Sequence, residues 1–407
     1  MTNSHVTHLE AAIDGTRLPA RIIQTTHQSR PLWVRYDLDA VSRAMTKSDL
    51  KNRAPTLWRY RELLPVDDDA SIVSLGEGMT PLLDCPRLAA KLGIERLTIK
   101  DESQLPTGSF KSRGMAVAVS MAKQFGITRV AVPTAGNAGG ALAAYAARAG
   151  MDCWVFMPSD TPVINKVEAV LCGARTYQVD GLIGDCAKII QKGMERMGWF
   201  DFSTLKEPYR IEGKKTMGLE LAEQMDWSLP DVILYPTGGG TGLIGMWKAF
   251  AELGEMGWLA STHRPRMFAC QSSTCAPIPT AFDAGARFAD PPENPRTCAL
   301  GLRVPKAVGD FMILDAVRES GGRAMTADED RILNWTRLAC ETEGISLCPE
   351  AAACIGVLER SLAEGHIQPS ETVVIFNTGA VQKYAEFFDP ILPLVDANEP
   401  DFATIDV

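Results

Sequence analysis

Lys111 is the residue of this chain best placed to do chemistry. It stands in Pro106-Thr-Gly-Ser-Phe-Lys-Ser-Arg113, between a glycine turn at Gly108 and a run in which Met115, Val119 and Ala122 recur at helical spacing until Gly126. Ser109 is a candidate N-cap for that helix. An ammonium in a first helical turn faces the positive end of the dipole, and burial adds desolvation, so both effects lower its pKa. A neutral amine is what imine formation with a carbonyl requires. A lysine at a helix start is also a common solvated residue, so other segments must decide.

Three further loops carry residue types suited to a small anionic ligand. Thr134-Ala-Gly-Asn-Ala-Gly-Gly140 opens an alanine-rich helix. There Thr134, Ala135 and Gly136 offer a backbone cradle for a substrate carboxylate, and Asn137 offers a side-chain amide for a phenolic oxygen. A small-residue turn that only lets two helices pack closely would look the same. Thr237-Gly-Gly-Gly-Thr-Gly-Leu-Ile-Gly245 follows an apolar run, and its successive N-H groups suit a phosphate. Gly240, Gly242 and Gly245 also fit a dinucleotide fingerprint, but the next strand, Arg266-Met-Phe-Ala-Cys-Gln271, ends in glutamine where that fingerprint needs an acid. Lys248 is displaced from the spacing of a nucleotide-binding P-loop. In Asn377-Thr-Gly379, Thr378 stands where a strand meets a glycine turn, so its hydroxyl is aimed at a crevice or serves only the turn.

Strands and helices alternate around these loops. Short buried strands are predicted at 96–100, 129–133, 152–157, 175–179, 231–235, 266–270 and 372–376. Helices are predicted at 138–148, 184–197, 212–225 and 351–364, with Thr326-Ala-Asp-Glu329 as a capping box for another. This alternation implies an α/β fold of parallel sheets flanked by helices, with ligands outside the carboxyl ends of the strands. Residues 1–75 lack clear periodicity and are expected to form an arm packed on the body. Residues 76–112 with 206–407 are expected to form a large cofactor-binding domain, and 113–205 a small α/β domain.

Composition narrows the function class. The chain has 407 residues, 46% hydrophobic and 22% charged, with a formal net charge of -9, which suits a small-molecule enzyme and argues against nucleic acid or an anionic membrane as the main partner. No apolar run is long enough to cross a bilayer and the N-terminus lacks a secretory pattern, so a cytoplasmic location is expected. The ten cysteines form no Cys-x-x-Cys pair and the five histidines are scattered, so neither a disulfide framework nor a metal site is expected.

Together these motifs, in this order, resemble the fold-type II family of pyridoxal 5'-phosphate enzymes, related in architecture to the tryptophan synthase β chain. Within that family the chain is most similar to threonine synthase and its relatives, from about residue 30 to the C-terminus. The likeness rests on Arg35-Tyr-Asp-Leu38, Gly76-Glu-Gly-Met-Thr-Pro81, Lys100-Asp-Glu102, Pro106-Thr-Gly-Ser-Phe-Lys111, Tyr209-Arg-Ile-Glu-Gly-Lys-Lys-Thr216 and Asn377-Thr-Gly379. The resemblance implies that Lys111 holds the cofactor covalently and then serves as the acid-base group. Phe110 and Asn137 would contact the ring and its phenolic oxygen, Gly238, Gly239, Gly240, Thr241 and Gly242 would wrap the phosphate, and Thr378 would bond the ring nitrogen. Arg210 and Lys215 would hold a substrate phosphate. A homo-oligomer, a dimer, and a small amino-acid substrate are implied as well.

The chain departs from the threonine synthase pattern at several places, among them the absence of an N-terminal cysteine pair seen in some relatives, the first cysteine being Cys85. Thr134-Ala-Gly-Asn-Ala138 lacks two hydroxyls that the branch often carries, and Gly238-Gly-Gly-Thr-Gly242 is nearer to threonine dehydratases and cysteine synthases. Thr204-Leu205 and Glu207-Pro208 replace an Asn-Ser and Asn-Pro arrangement. The expected reaction is conversion of O-phosphohomoserine and water to threonine and phosphate. Its rivals are a threonine or serine ammonia-lyase or β-replacement enzyme, a nicotinamide oxidoreductase, and a non-catalytic binding member of the fold.

Overall fold

A computed structural model describes residues 4–388, 392, 394–395 and 397–398. Its strands, in chain order, are β1 (Val6–Ala11), β2 (Arg17–Leu18), β3 (Leu32–Tyr36), β4 (Leu82–Asp84), β5 (Arg96–Asp101), β6 (Arg129–Pro133), β7 (Asp152–Pro158), β8 (Arg175–Val179), β9 (Phe200–Asp201), β10 (Val232–Pro236), β11 (Arg266–Ser272), β12 (Arg323–Ala327) and β13 (Thr372–Asn377).

Two α/β sheets and one small antiparallel sheet organise them. The larger has the order β12-β11-β10-β13-β5-β4, parallel throughout except for β4, which runs antiparallel to β5. The smaller, β8-β7-β6-β9, is wholly parallel. Every residue of Val232-Ile-Leu-Tyr-Pro236 is buried, as a central parallel strand covered on both faces requires. β12 was not foreseen: Arg323-Ala-Met-Thr-Ala327 is a short run with one charged end.

The first 75 residues are more regular than their sequence suggests. β1, β2 and β3 form an antiparallel sheet in the order β2-β1-β3. Leu9, Ala11, Leu32 and Val34 bury in the same core as the helix Lys111–Gln124. Alternation over strands this short is a weak signal, and tertiary packing supplies the rest.

Two predicted caps are corrected. The Lys111 helix has Phe110 as its N-cap, with no side-chain cap bond, and Ser109 is buried with no partner for its hydroxyl among the described residues. Thr326 lies inside β12, so no capping box forms there. Instead Asp328 accepts from the Asp330 amide and caps a short turn. The Glu329 carboxylate accepts from the Cys298 amide at 2.6 Å.

The helix Tyr209–Gln224 runs through the middle of the molecule, and 14 of its 16 residues are buried. It carries Arg210, Glu212, Lys214, Lys215 and Glu220 inward, and buried charges need partners. Glu220 receives Arg113 Nη1 at 2.8 Å and Lys100 Nζ at 2.5 Å. Arg113 also forks onto Glu102, with Nε 2.6 Å from Oε2 and Nη2 2.7 Å from Oε1. Because Arg113 is two residues beyond Lys111, this pairing fixes the first turn from which Lys111 projects. At the crossing of the two helices a Cβ on Gly213 would stand 2.0 Å from the Arg113 carbonyl oxygen. Glycine is therefore required for the approach.

Candidate active site

The carboxyl ends of β6, β10 and β13 converge on a cavity of about 540 Å³. Lys111, Thr134, Ala135, Gly136 and Asn137 line it from one side. Gly238, Gly239, Gly240, Thr241, Gly242 and Thr378 line it from the other, and Phe110 contributes to its wall. Loops far apart in sequence meet here because each follows a parallel strand.

The glycine loop ends at the helix Thr241–Glu255. Gly240, its N-cap, sits at φ +72° and no side chain caps the helix. The space beside the loop is closed to side chains: a Cβ on Gly240 would meet Ile313 at 2.2 Å, and one on Gly242 would meet the Tyr235 hydroxyl at 1.9 Å. The glycine loop and a helix start thus line the cavity together, where a phosphate would be favoured.

The Lys111 amine lies 4.0 Å from the centroid of the Phe110 ring. Burial, and then the charge of Arg210, lower its pKa from 10.5 to about 7, while Glu350 acts in the opposite direction. At neutral pH a large share of this amine is unprotonated. The depression foreseen from burial is present, and the positive charge behind it comes from the Tyr209 helix.

Several buried polar atoms at the wall lack partners among the described residues. Asn137 Oδ1, Asn165 Oδ1, the Tyr235 hydroxyl and Glu350 Oε2 are all in this state. Orphans of this kind mark places where a ligand completes the hydrogen bonding. Glu350 was missed by sequence reading. Its other oxygen accepts from the Tyr384 hydroxyl at 2.6 Å and the Gly301 amide at 2.7 Å. The signal was an acidic residue directly after Pro349 at a helix start.

Two expected substrate contacts lie elsewhere. Lys215 does not line the cavity: it pairs with Glu212 at 2.8 Å and Glu252 at 2.9 Å, above the Tyr36 ring. Arg210 is buried behind the wall, with Nη1 donating to the Phe202 carbonyl at 2.7 Å. Helical geometry explains the split. Residues 210 and 214 are four apart and share a face, whereas 215 is turned well away from 210. Lys214, not Lys215, therefore stands with Arg210 beside Phe110 and Lys111.

Comparison with known proteins agrees with this geometry. A family model described as pyridoxal-phosphate dependent enzyme matches residues 73–379. The threonine synthase of Methanocaldococcus jannaschii is 34% identical over 380 residues, 93% of this chain and 92% of that protein. That of Methanosarcina acetivorans is 36% identical over 349 residues, 86% of this chain and 84% of that protein. Among solved structures, a T.th. threonine deaminase superposes with a TM-score of 0.61 at 26% identity, covering 74% of this chain and 92% of that one.

The residues present fit the cofactor of that family. They supply a half-buried lysine amine of lowered pKa, an amide bed closed to side chains for its phosphate, an asparagine with an orphaned carbonyl, and a hydroxyl at the end of β13. The chain belongs to the fold-type II family of pyridoxal 5'-phosphate-dependent enzymes and, within it, to the threonine synthase-like proteins.

Proposed function

We propose that this protein is a lyase that converts O-phosphohomoserine and water to threonine and phosphate. The observation that carries the reading is the match to proteins named threonine synthase over more than four fifths of both chains. When bound, the cofactor supplies an electron-withdrawing ring that stabilises negative charge at the substrate α carbon.

In this reading Lys111 would hold the cofactor aldehyde, and its amine would take the substrate α proton and later return it. A value of about 7 suits both directions of transfer at neutral pH. Phe110 and Asn137 would orient the ring, residues 238–242 would seat its phosphate, and Thr378 would bond the ring nitrogen as a neutral group. Thr134, Ala135 and Gly136 receive the substrate carboxylate.

The substrate phosphate then faces the cations of the opposite rim. Lys188, Lys206, Arg303 and Lys306 line the cavity. The first three pair with Asp185 at 2.9 Å, Asp201 at 3.4 Å and Asp160 at 3.0 Å. Arg210 adds positive charge from behind, with no carboxylate in salt-bridge distance among the described residues.

Incubation with O-phosphohomoserine should release phosphate and threonine in equal amounts; absence of both sinks the proposal. An ammonia-lyase is the second reading, favoured by the likeness to a threonine deaminase and by the glycine-rich phosphate loop. Oxo-acid formation from threonine or serine would select it. Arg210→Ala should impair use of a phosphorylated substrate more than a phosphate-free one, and equal effects would remove Arg210 from phosphate recognition.

The proposal includes a cytoplasmic homodimer. No helix among the described residues is long and apolar enough to cross a membrane, and the net charge of -9 suits a dissolved protein. Light scattering of the purified protein at twice the chain mass of 44.2 kDa would support the dimer.

A further inference from the structure

Most fully or nearly fully buried lysines of this protein have a carboxylate partner. Lys100 pairs with Glu220 at 2.5 Å, Lys215 with Glu212 at 2.8 Å, Lys248 with Glu212 at 2.5 Å and Lys383 with Glu168 at 2.8 Å. Lys214 is 0% exposed, yet no carboxylate lies within salt-bridge distance of it among the described residues. Its amine instead donates to the carbonyl oxygen of Phe110 and lies 4.0 Å from the centroid of the Phe110 ring. An unpaired buried charge is costly, so an amine in this setting favours its neutral form. Burial, followed by the charges of Lys111 and Arg210, pushes it well below the usual lysine value.

The carbonyl that Lys214 holds belongs to the peptide joining Phe110 to Lys111, and the ring it touches forms part of the cavity wall. The facing helix is shaped to admit it. A Cβ on Gly114 would come within 3.0 Å of Lys214 Cε and 3.1 Å of the Arg210 carbonyl oxygen, so the absent side chain at 114 is the recess in which the lysine lies.

From this arrangement we propose that Lys214 is a positioning residue: seated in the Gly114 recess, its amine anchors the Phe110–Lys111 peptide and the Phe110 ring, fixing the direction in which Lys111 presents its own amine. The inference rests on the reading that Lys111 holds the cofactor. It assigns Lys214 a mechanical role, with Arg210 as the source of charge behind Lys111.

The test compares the full-length, cofactor-loaded wild type with Lys214→Met, which is one bond shorter and loses the donor. Lys214→Gln, which keeps an N-H donor on a side chain one bond shorter, is the conservative variant. The readouts are the visible circular dichroism of the bound cofactor, which reports how firmly it is held in an asymmetric site, and the separate values of kcat and KM. Lys214→Met should lose more than half of the dichroism and about tenfold in kcat, the worth of an ordinary hydrogen bond, with KM within about twofold. Lys214→Gln should restore most of both. Gly114→Ala, which leaves the amine in place but fills its recess, should show the same loss of dichroism.

Wild-type dichroism and kcat in Lys214→Met would overturn the inference, as would a Lys214→Gln variant impaired as severely as Lys214→Met. Should Lys214→Met fail to fold, undiminished dichroism in Gly114→Ala overturns it equally. A wild-type protein with no visible cofactor band would instead remove the reading of Lys111, and this inference with it. A normal band that ignores residues 114 and 214 removes this inference alone.

Discussion

Replacing Lys111 by methionine should stabilise the cofactor-free protein at neutral pH, and by an amount that shrinks as the pH rises. The folded-state value of the amine is about 7 against an ordinary 10.5. Between those values the unfolded chain binds more protons than the folded one, so the stability of the wild type rises with pH through that window. With each pH unit between the two values worth about 1.36 kcal/mol, holding this amine in the fold costs about 4 kcal/mol at pH 7.5 and about 1.5 kcal/mol at pH 9.5. These are ceilings, because Lys111 is half-buried and water in the cavity screens it.

The assay is urea unfolding of both cofactor-free proteins at the two pH values. The methionine side chain also adds apolar burial, which does not depend on pH, so the diagnostic quantity is the change in the stability difference. Its margin over wild type should fall by up to about 2.5 kcal/mol between pH 7.5 and 9.5. A margin that stays constant or grows with pH would refute a depressed lysine at this position.

Gly242→Ala should weaken cofactor binding at least about tenfold in an absorbance titration, because the added methyl meets the Tyr235 hydroxyl at 1.9 Å and displaces the amide bed. Arg113→Met should destabilise the fold by roughly 3–5 kcal/mol in urea unfolding, since Glu102 and Glu220 are then left buried with too little positive charge. Lys215→Met should likewise lower stability, by leaving Glu212 and Glu252 to Lys248 alone. It should not selectively raise KM for a phosphorylated substrate, and a selective rise would return Lys215 to the substrate site.

The chemistry-bearing loops were legible in the sequence because each depends on local residue types. A lysine after a glycine turn, a glycine run before a helix and a threonine after an apolar run are short-range patterns, and the alternation of strands with helices says on which edge of the sheets such loops fall. The parallel sheets, the Lys111 helix and the cavity-facing positions of Asn137, residues 238–242 and Thr378 follow from those patterns.

What the sequence left open was decided by contacts between segments far apart. Whether the first 75 residues form a sheet depended on the core that their apolar side chains meet. Ser109 is buried without capping the helix, because the turn from Leu105 to Phe110 packs against Thr378 and Ala380. Arg210, Lys214 and Lys215 read alike as basic residues of one short segment. Only the placement of their helix between Glu252, Tyr36 and Phe110 sends one to a structural ion network, one behind the cavity wall and one beneath the ring beside Lys111. A charge is written in the sequence, but its partner, its burial and therefore its protonation belong to the tertiary structure.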